Sequence, residues 1–372
     1  MHWNAHSLLR DYMNIPDISA LHAILRLKAG LSPSQRLDEL TVDLNRHNSF
    51  LRDFLDPSSK AITAVVGPYG AGKTHFLRLA KQEALKKGYA VASLTQETGP
   101  GSLSFPHRHM HLVLGSLVAP DPTGSAVEYA ANLIEHEPRQ FLWQTRDVIK
   151  DRPEFQSIEN NLEWLMRGAD HGRATRVLEY LSGTLLSGAS SSANNRVRAY
   201  RLLEFWIEYL VFTVNCKGVV LLIDEMEGLF SGALYWSILS RRTAYRSLGY
   251  YASLGRRLRI LTAFTPEGWH KLQEDVQTNA ASLTAQSSTV FGEDVPSLLR
   301  NLRSIRPYEL TELTTHQYDE LYEKLKKLHA AARGYVPATN GHLRLPSRSG
   351  LTPRIFSRSV VSALEARWFA GS

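Results

Sequence analysis

The stretch GPYGAGKTHFLR at 67–78 directly follows the apolar run AITAVV at 61–66. Its spacing constrains the chain more than any other feature: Gly67, Gly72, Lys73 and Thr74 in register, with a further glycine at Gly70. Glycines at such positions let the backbone curl until successive N–H groups face one anion. A helix opening at Lys73 adds the positive end of its dipole to the same place. Strand, glycine loop and helix together predict a phosphate cradle made of Gly67, Pro68, Tyr69, Gly70, Ala71, Gly72, Lys73, Thr74 and His75. Lys73 is expected on the β- and γ-phosphates of a nucleotide and the Thr74 hydroxyl on Mg²⁺.

A second signal lies at GVVLLIDEMEGLF, 218–230. Five apolar residues run into Asp224 and Glu225, which places the carboxylates at the carboxyl end of a buried strand, where open α/β sheets bind ligands. Asp224 is expected to hold Mg²⁺, and Glu225 to polarise an attacking water. The pair predicts ATP as ligand, with hydrolysis.

The rest of the pattern is that of an α/β protein with a parallel sheet. Residues 18–55 read as helical, broken by Gly30-Leu31-Ser32-Pro33. A helix is expected over 73–87, closed by Gly88, then a strand over 89–94. Residues 104–216 read as almost wholly helical, an insertion too long for one crossover, with a mobile loop at 187–195. Further strands are expected at 259–265 and, shorter, within 303–310, and residues 273–292 as irregular. Helices finish the chain over 315–333 and after Thr352-Pro353, where Thr is an N-cap and Pro the first helical residue. The expected organisation is an N-terminal helical extension over 1–56, an α/β core over 57–310 and a C-terminal helical lid over 311–372.

No apolar stretch is long enough to span a bilayer, and MHWNAHSLLRDYMN lacks the pattern of a secretory signal. The single cysteine, Cys216, excludes an internal disulfide and fits a reducing cytoplasm. A net charge of +7 permits an acidic partner such as DNA. Arg241, Arg242, Arg246, Arg256, Arg257 and Arg259 follow one another with no acidic residue between them, as a solvated basic face or a phosphate-contacting one. His107, His109 and His111 resemble a metal tract, but i and i+2 residues of a helix face different ways. Trp143, Trp164 and Trp206 read as core residues of the insertion.

Beyond these local readings, the chain resembles the AAA+ ATPases of the initiator and loader branch. The DE pair carries the resemblance, with Thr265 at the end of the next strand, SLLRNLRSIRPYEL and LTPRIFSRSVVSAL. The resemblance implies a γ-phosphate sensor at Thr265 and a second at Arg354. It also implies a trans-acting arginine finger at Arg303 or, as the lesser alternative, Arg300. Read together, DLNRHNSFLRDFL, GPYGAGKTHFL, LLIDEMEGLF, FTPEGW, DELYEKLKKLHAAA and LTPRIFSRSVV resemble the ATP-binding protein of bacteriophage-exclusion (BREX) defence systems, from about residue 27 onward.

That likeness implies antiviral defence beside other defence-system proteins. The leading expectation is a homo-oligomeric, ATP-driven switch or motor on double-stranded DNA. The alternative is a regulatory ATP-binding protein that switches assembly of protein partners and docks them on the helical insertion. A small-molecule kinase would not need the DE pair, and about twenty residues after Thr352 leave no room for a winged-helix domain.

Overall fold

The computed structural model describes residues 17–96, 103–120, 123–150, 152–167, 173–189, 192–230, 238–285, 293–335 and 351–371. By their internal contacts these form two units, one from the described parts of 1–50, 67–79 and 309–372, the other from 51–66 and 80–308.

In the second unit the apolar runs pair into one sheet. Its strands are β1 (Ile62–Val66), β2 (Ala90–Thr95), β3 (Val118–Ala119), β4 (Gly124–Ser125), β5 (Val219–Asp224), β6 (Leu258–Phe264) and β7 (Tyr308–Glu309), in the order β4-β3-β2-β5-β6-β1-β7. β2, β5, β6 and β1 run parallel, with Ile223 opposite Thr262 and Val66 opposite Phe264. β3 and β4 are antiparallel additions. Every residue of β6 is buried, as are the first five of β5. Such unbroken apolar strands follow from a parallel sheet covered by helices on both faces. Ile238–Ser253 and Pro266–Thr278 pack on β6, Val295–Arg303 on β1 and Pro106–Gly115 on β2.

The insertion shares this core. Phe141, Phe155, Phe205, Trp206 and Tyr209 are buried in the same cluster as Leu94, Leu221 and Phe264. Trp206 donates to Leu181 O at 2.8 Å, and Tyr200 stacks on Tyr250 with centroids 4.2 Å apart. Among the described residues the insertion is almost wholly helical, as expected, apart from the two-residue strands β3 and β4, which extend the sheet beyond β2. One expectation needs correction here. Residues 273–284 are not irregular but helical, in Pro266–Thr278 and Ala280–Thr284, because Leu272, Val276 and Leu283 face the core from an otherwise polar stretch. Of the expected loop at 187–195, residues 190 and 191 lie outside the described ones, and Ser192 caps the helix Ala193–Phe212.

The tryptophans also divide. Trp206 is core, whereas Trp143 and Trp164 are 65% and 70% exposed, on the contacting helices Pro138–Ile149 and Gln156–Arg167. The histidine tract lies on the helix Pro106–Gly115, with His107 and His109 buried and His109 Nε2 2.6 Å from the Tyr251 hydroxyl. No group of three or more His, Cys, Asp or Glu able to hold a metal occurs among the described residues.

Much of the arginine-rich segment turns inward. Arg241 makes two 2.7 Å bonds to the Asp275 carboxylate, which also accepts from the Tyr245 hydroxyl at 3.1 Å. Arg242 donates to Ser282 O, and Arg246 lies 3.9 Å from buried Glu293. Arg257 and Arg152 both pair with Glu208, which is fully buried. Arg259, also buried, donates to Phe54 O and the Ser59 hydroxyl. The run therefore divides: Arg241, Arg246 and Arg259 turn into the fold, whereas Arg256 and Arg257 are exposed.

The first unit has its own core. Ala20, Ala23 and Ile24 of the helix Ile18–Lys28 pack with Tyr318, Leu325 and Leu328 of Thr315–Arg333 and with Phe356, Val360 and Val361 of Pro353–Gly371. Glu365 is buried here, held by Arg333 through two bonds of 2.9 and 2.7 Å and by His329 at 2.9 Å. The helix Thr315–Arg333 opens on a Thr314–Gln317 capping box and closes on Gly334 at φ +69°. No described helix is long and apolar enough to cross a membrane.

Replacing Asp275 by Ala would leave Arg241 without its carboxylate in a mostly buried site. Losing one partner of such a pair typically costs about 3 kcal/mol or more. Urea unfolding of Asp275→Ala is expected to show a loss of that order, and a loss under about 1 kcal/mol would mean the pair is effectively solvated.

Candidate functional site

The glycine loop belongs to the first unit. Its helix, Lys73–Lys86, starts at the lysine, as the spacing predicts. Gly70 and Gly72 have φ of +82° and +101°, a region that L side chains rarely adopt. Gly70 is doubly required, because a Cβ there would sit 2.7 Å from Thr352 Oγ1. Lys73 is buried, and its Nζ donates to Gly67 O at 3.0 Å and Pro68 O at 3.3 Å. An ammonium has a further N–H beyond those two, and it is held on the loop whose amides would meet an anion. Thr74 is exposed beside it.

His75 fastens the same turn of helix. Its Nε2 lies 2.8 Å from the Thr41 hydroxyl and its Nδ1 3.4 Å from the Ser32 hydroxyl. Arg78 donates to the carbonyls of Ser32 and Pro33, so the segment before the loop is tied to its helix twice over. His47 packs its ring edge-on against Phe76 at 5.2 Å. Burial pushes His75 down to about 4, and the neighbouring His47 and Arg78 charges act the same way. Burial likewise pushes His47 down to about 4, with Arg46 lowering it further and Asp43 opposing.

The carboxylates belong to the second unit. β5 ends at half-exposed Asp224, whose Oδ1 accepts from the Glu225 amide at 2.9 Å. Glu225 is exposed and takes φ +54°, a left-handed conformation that costs a non-glycine residue roughly 1 kcal/mol. Directly after β6, one strand from β5, Thr265 caps the helix Pro266–Thr278 by accepting from Gly268 N at 3.2 Å. Its amide donates to Glu227 Oε2 at 3.2 Å. A hydroxyl that accepts a cap bond still has its own proton to donate. Glu227 went unread in the sequence, although a third carboxylate in IDEMEG marks it.

β6 lies between β1 and β5, so the strand that leads into the glycine loop, the strand ending before Thr265 and the strand ending in Asp224 are neighbours with their carboxyl ends at one sheet edge. Strand spacing puts β1 and β5 about 10 Å apart.

The arginines divide between the units. Arg354, in the first, donates from Nε to Gly30 O at 2.7 Å and from Nη1 to the Tyr69 hydroxyl at 3.1 Å. Arg303 and Arg300, in the second, are exposed on the helix Val295–Arg303. Arg303 Nη2 donates to Val276 O at 2.8 Å, and Arg300 Nη2 to the Ser297 hydroxyl at 2.6 Å.

Two measurements test these local readings. Glycine at 225 relieves the left-handed strain, so Glu225→Gly is expected to raise unfolding free energy by about 1 kcal/mol, and a loss of stability would show that the conformation carries no strain. The histidines give a pH dependence. The folded chain keeps His47 and His75 neutral down to about 4, while the unfolded chain protonates near 6.5. Their contribution is intact above about 6.5 and is lost as pH falls towards 4. Urea unfolding between pH 7.5 and 4.5 is expected to show a shallower fall in the His47→Asn/His75→Gln double variant than in the parent, and equal slopes would contradict it.

Neither a curated protein nor a solved structure matches the chain. A family model does match, over residues 15–101, the stretch that runs from the first helix through β1, the glycine loop and β2. This stretch is similar to the family described as BREX system ATP-binding protein BrxC/D.

Proposed function

We propose that the chain is an AAA+-type, Mg²⁺-dependent ATPase that works as an oligomeric switch within a BREX anti-phage defence system in the bacterial cytoplasm. The observation that carries the reading is the glycine loop. Two left-handed glycines and a helix opening at buried Lys73 form an anion cradle, in a stretch matched by a family named as ATP-binding. Half-exposed Asp224 and exposed Thr74 are suited as oxygen donors for Mg²⁺, which would neutralise charge on the β- and γ-phosphates.

In this reading Lys73 binds the phosphates, and Glu225 orients a water and takes its proton as the water attacks the γ-phosphorus. The strained backbone of Glu225 supports an active role, because such strain persists where surrounding structure enforces it. Thr265, directly after the strand between those leading to loop and carboxylate, donates its hydroxyl proton towards the γ-phosphate. Arg354 senses the same phosphate in cis. Arg303, or Arg300, acts on a neighbouring subunit's nucleotide; both are exposed on one helix, as a residue acting across a subunit boundary must be. Such a finger is worth on the order of a thousandfold in rate.

What the ATP drives is decided between DNA and protein partners. The inward turn of Arg241, Arg246 and Arg259 weakens one of the sequence arguments for DNA contact, and exposed Trp143 and Trp164 support a protein docked on the insertion. The switch is accordingly read as acting first on other defence-system proteins, with double-stranded DNA as the second reading.

Asp224→Asn is expected to abolish turnover, and Glu225→Gln to retain ATP with turnover reduced at least a hundredfold. Normal turnover by Glu225→Gln would remove the residue from the chemistry. Turnover measured against protein concentration, with and without duplex DNA, tests the rest. A rate per subunit that rises with concentration, and activity regained when Arg303→Ala is mixed with Lys73→Ala, would support a shared site. A flat rate would exclude it, and stimulation by DNA would reinstate the DNA reading.

A further inference from the structure

Arg354 is a long, exposed side chain, yet it does not point freely into solvent. Its Nε donates to Gly30 O at 2.7 Å, its Nη1 to the Tyr69 hydroxyl at 3.1 Å, and its guanidinium carbon lies 5.7 Å from the centroid of the Tyr69 ring. Tyr69 is itself part of the glycine loop and is 74% exposed. Two residues before Arg354, Thr352 fills the space a side chain at Gly70 would occupy. The loop therefore touches the start of the helix Pro353–Gly371 at two consecutive residues, one contact steric and the other polar and aromatic.

A tyrosine offers a guanidinium two things in one place, a hydroxyl oxygen as acceptor and a π-face as electrostatic partner. With Gly30 O as a third point, the fork is fixed in position and in plane. The guanidinium still has N–H donors beyond the two engaged. An unrestrained arginine would lose its rotamer freedom on meeting a phosphate, whereas one already anchored has lost most of it beforehand.

We propose that Tyr69 is a positioning residue for ATP selection, holding Arg354 ready at the glycine loop so that the protein prefers a nucleoside triphosphate over the diphosphate. The proposal rests on the nucleotide-binding reading above. Its physical basis is charge. The triphosphate brings an additional anionic group to the loop, and a prepositioned cation distinguishes the two nucleotides, which a cation that must first be ordered does less well. Tyr69 would act only through Arg354, with no contact to the nucleotide required.

The test is competition binding of ATPγS and ADP, both with Mg²⁺, to the full chain carrying Tyr69→Ala, Tyr69→Phe, Arg354→Ala or both alanines. Tyr69→Ala is expected to lower the ATPγS-over-ADP preference about three- to tenfold, mostly by weakening ATPγS. Tyr69→Phe retains the ring and is expected to recover part of the loss. The double variant is expected to match Arg354→Ala alone, because each change removes the same interaction. Equal weakening of both nucleotides by Tyr69→Ala would overturn the proposal, since that is what a merely structural tyrosine predicts. Additive effects in the double variant would overturn it also, by separating Tyr69 from Arg354. Failure of the parent protein to bind either nucleotide would instead overturn the nucleotide-binding reading itself, and a parent that binds both equally would overturn only the role of Arg354 and Tyr69.

Discussion

The parallel pairing of β1, β6 and β5 is the constraint on which the carboxylate half of the site depends. Parallel strands in register bring equivalent ends to one edge, so pairing Val66 with Phe264 and Ile223 with Thr262 aligns where each strand stops. Asp224 ends β5 and Thr265 directly follows β6, two strands whose apolar residues are buried, so the sheet's backbone hydrogen bonds fix where each begins its turn. A one-residue register slip on β5 would turn Asp224 to the other face of the sheet. Burial of VVLLI thus fixes the position of the carboxylate that follows it.

Where the chain leaves those strands, its backbone departs from the relaxed regions. Gly70 and Gly72 occupy positive φ at no steric cost, but Glu225 does so with a side chain. The two cases have different origins. Glycines allow the loop to turn its amides inwards, a geometric need that any residue with a Cβ would obstruct. At Glu225 a carboxylate-bearing residue holds a conformation in which glycine would be more comfortable. Its amide is engaged by Asp224, so the two acidic residues are coupled through backbone as well as through sequence.

Much of this was legible in the sequence because it is local. The strand before the loop, the helix from Lys73, the strand ending in Asp224 and the Thr352-Pro353 helix start all rest on patterns within a few residues. Misreadings arose where a residue's environment is set by distant chain. Trp143 and Trp164 look like core residues on one-dimensional grounds, and only the packing of their helices leaves them exposed. Residues 273–284 look polar throughout, but Leu272, Val276 and Leu283 recur at helical spacing and face the core. Glu227 lay in plain view, but its partner, the Thr265 amide, is on another strand.

The arginine run shows the same limit in its electrostatic form. Between Arg241 and Arg259 no acidic residue intervenes, so the segment reads as an uncompensated cation. Its counter-charges are Asp275, Glu208 and Glu293, all outside the segment, on other elements of the unit. Burying those carboxylates without partners would be prohibitive, and burying the arginines alone would be no better. Each resolves the other, so the positive charge serves the interior of the fold. Net charge can therefore suggest an acidic partner for this protein without locating a surface for it. Trp143 and Trp164, exposed on the insertion, would by contrast meet a partner through contacts that do not depend on net charge.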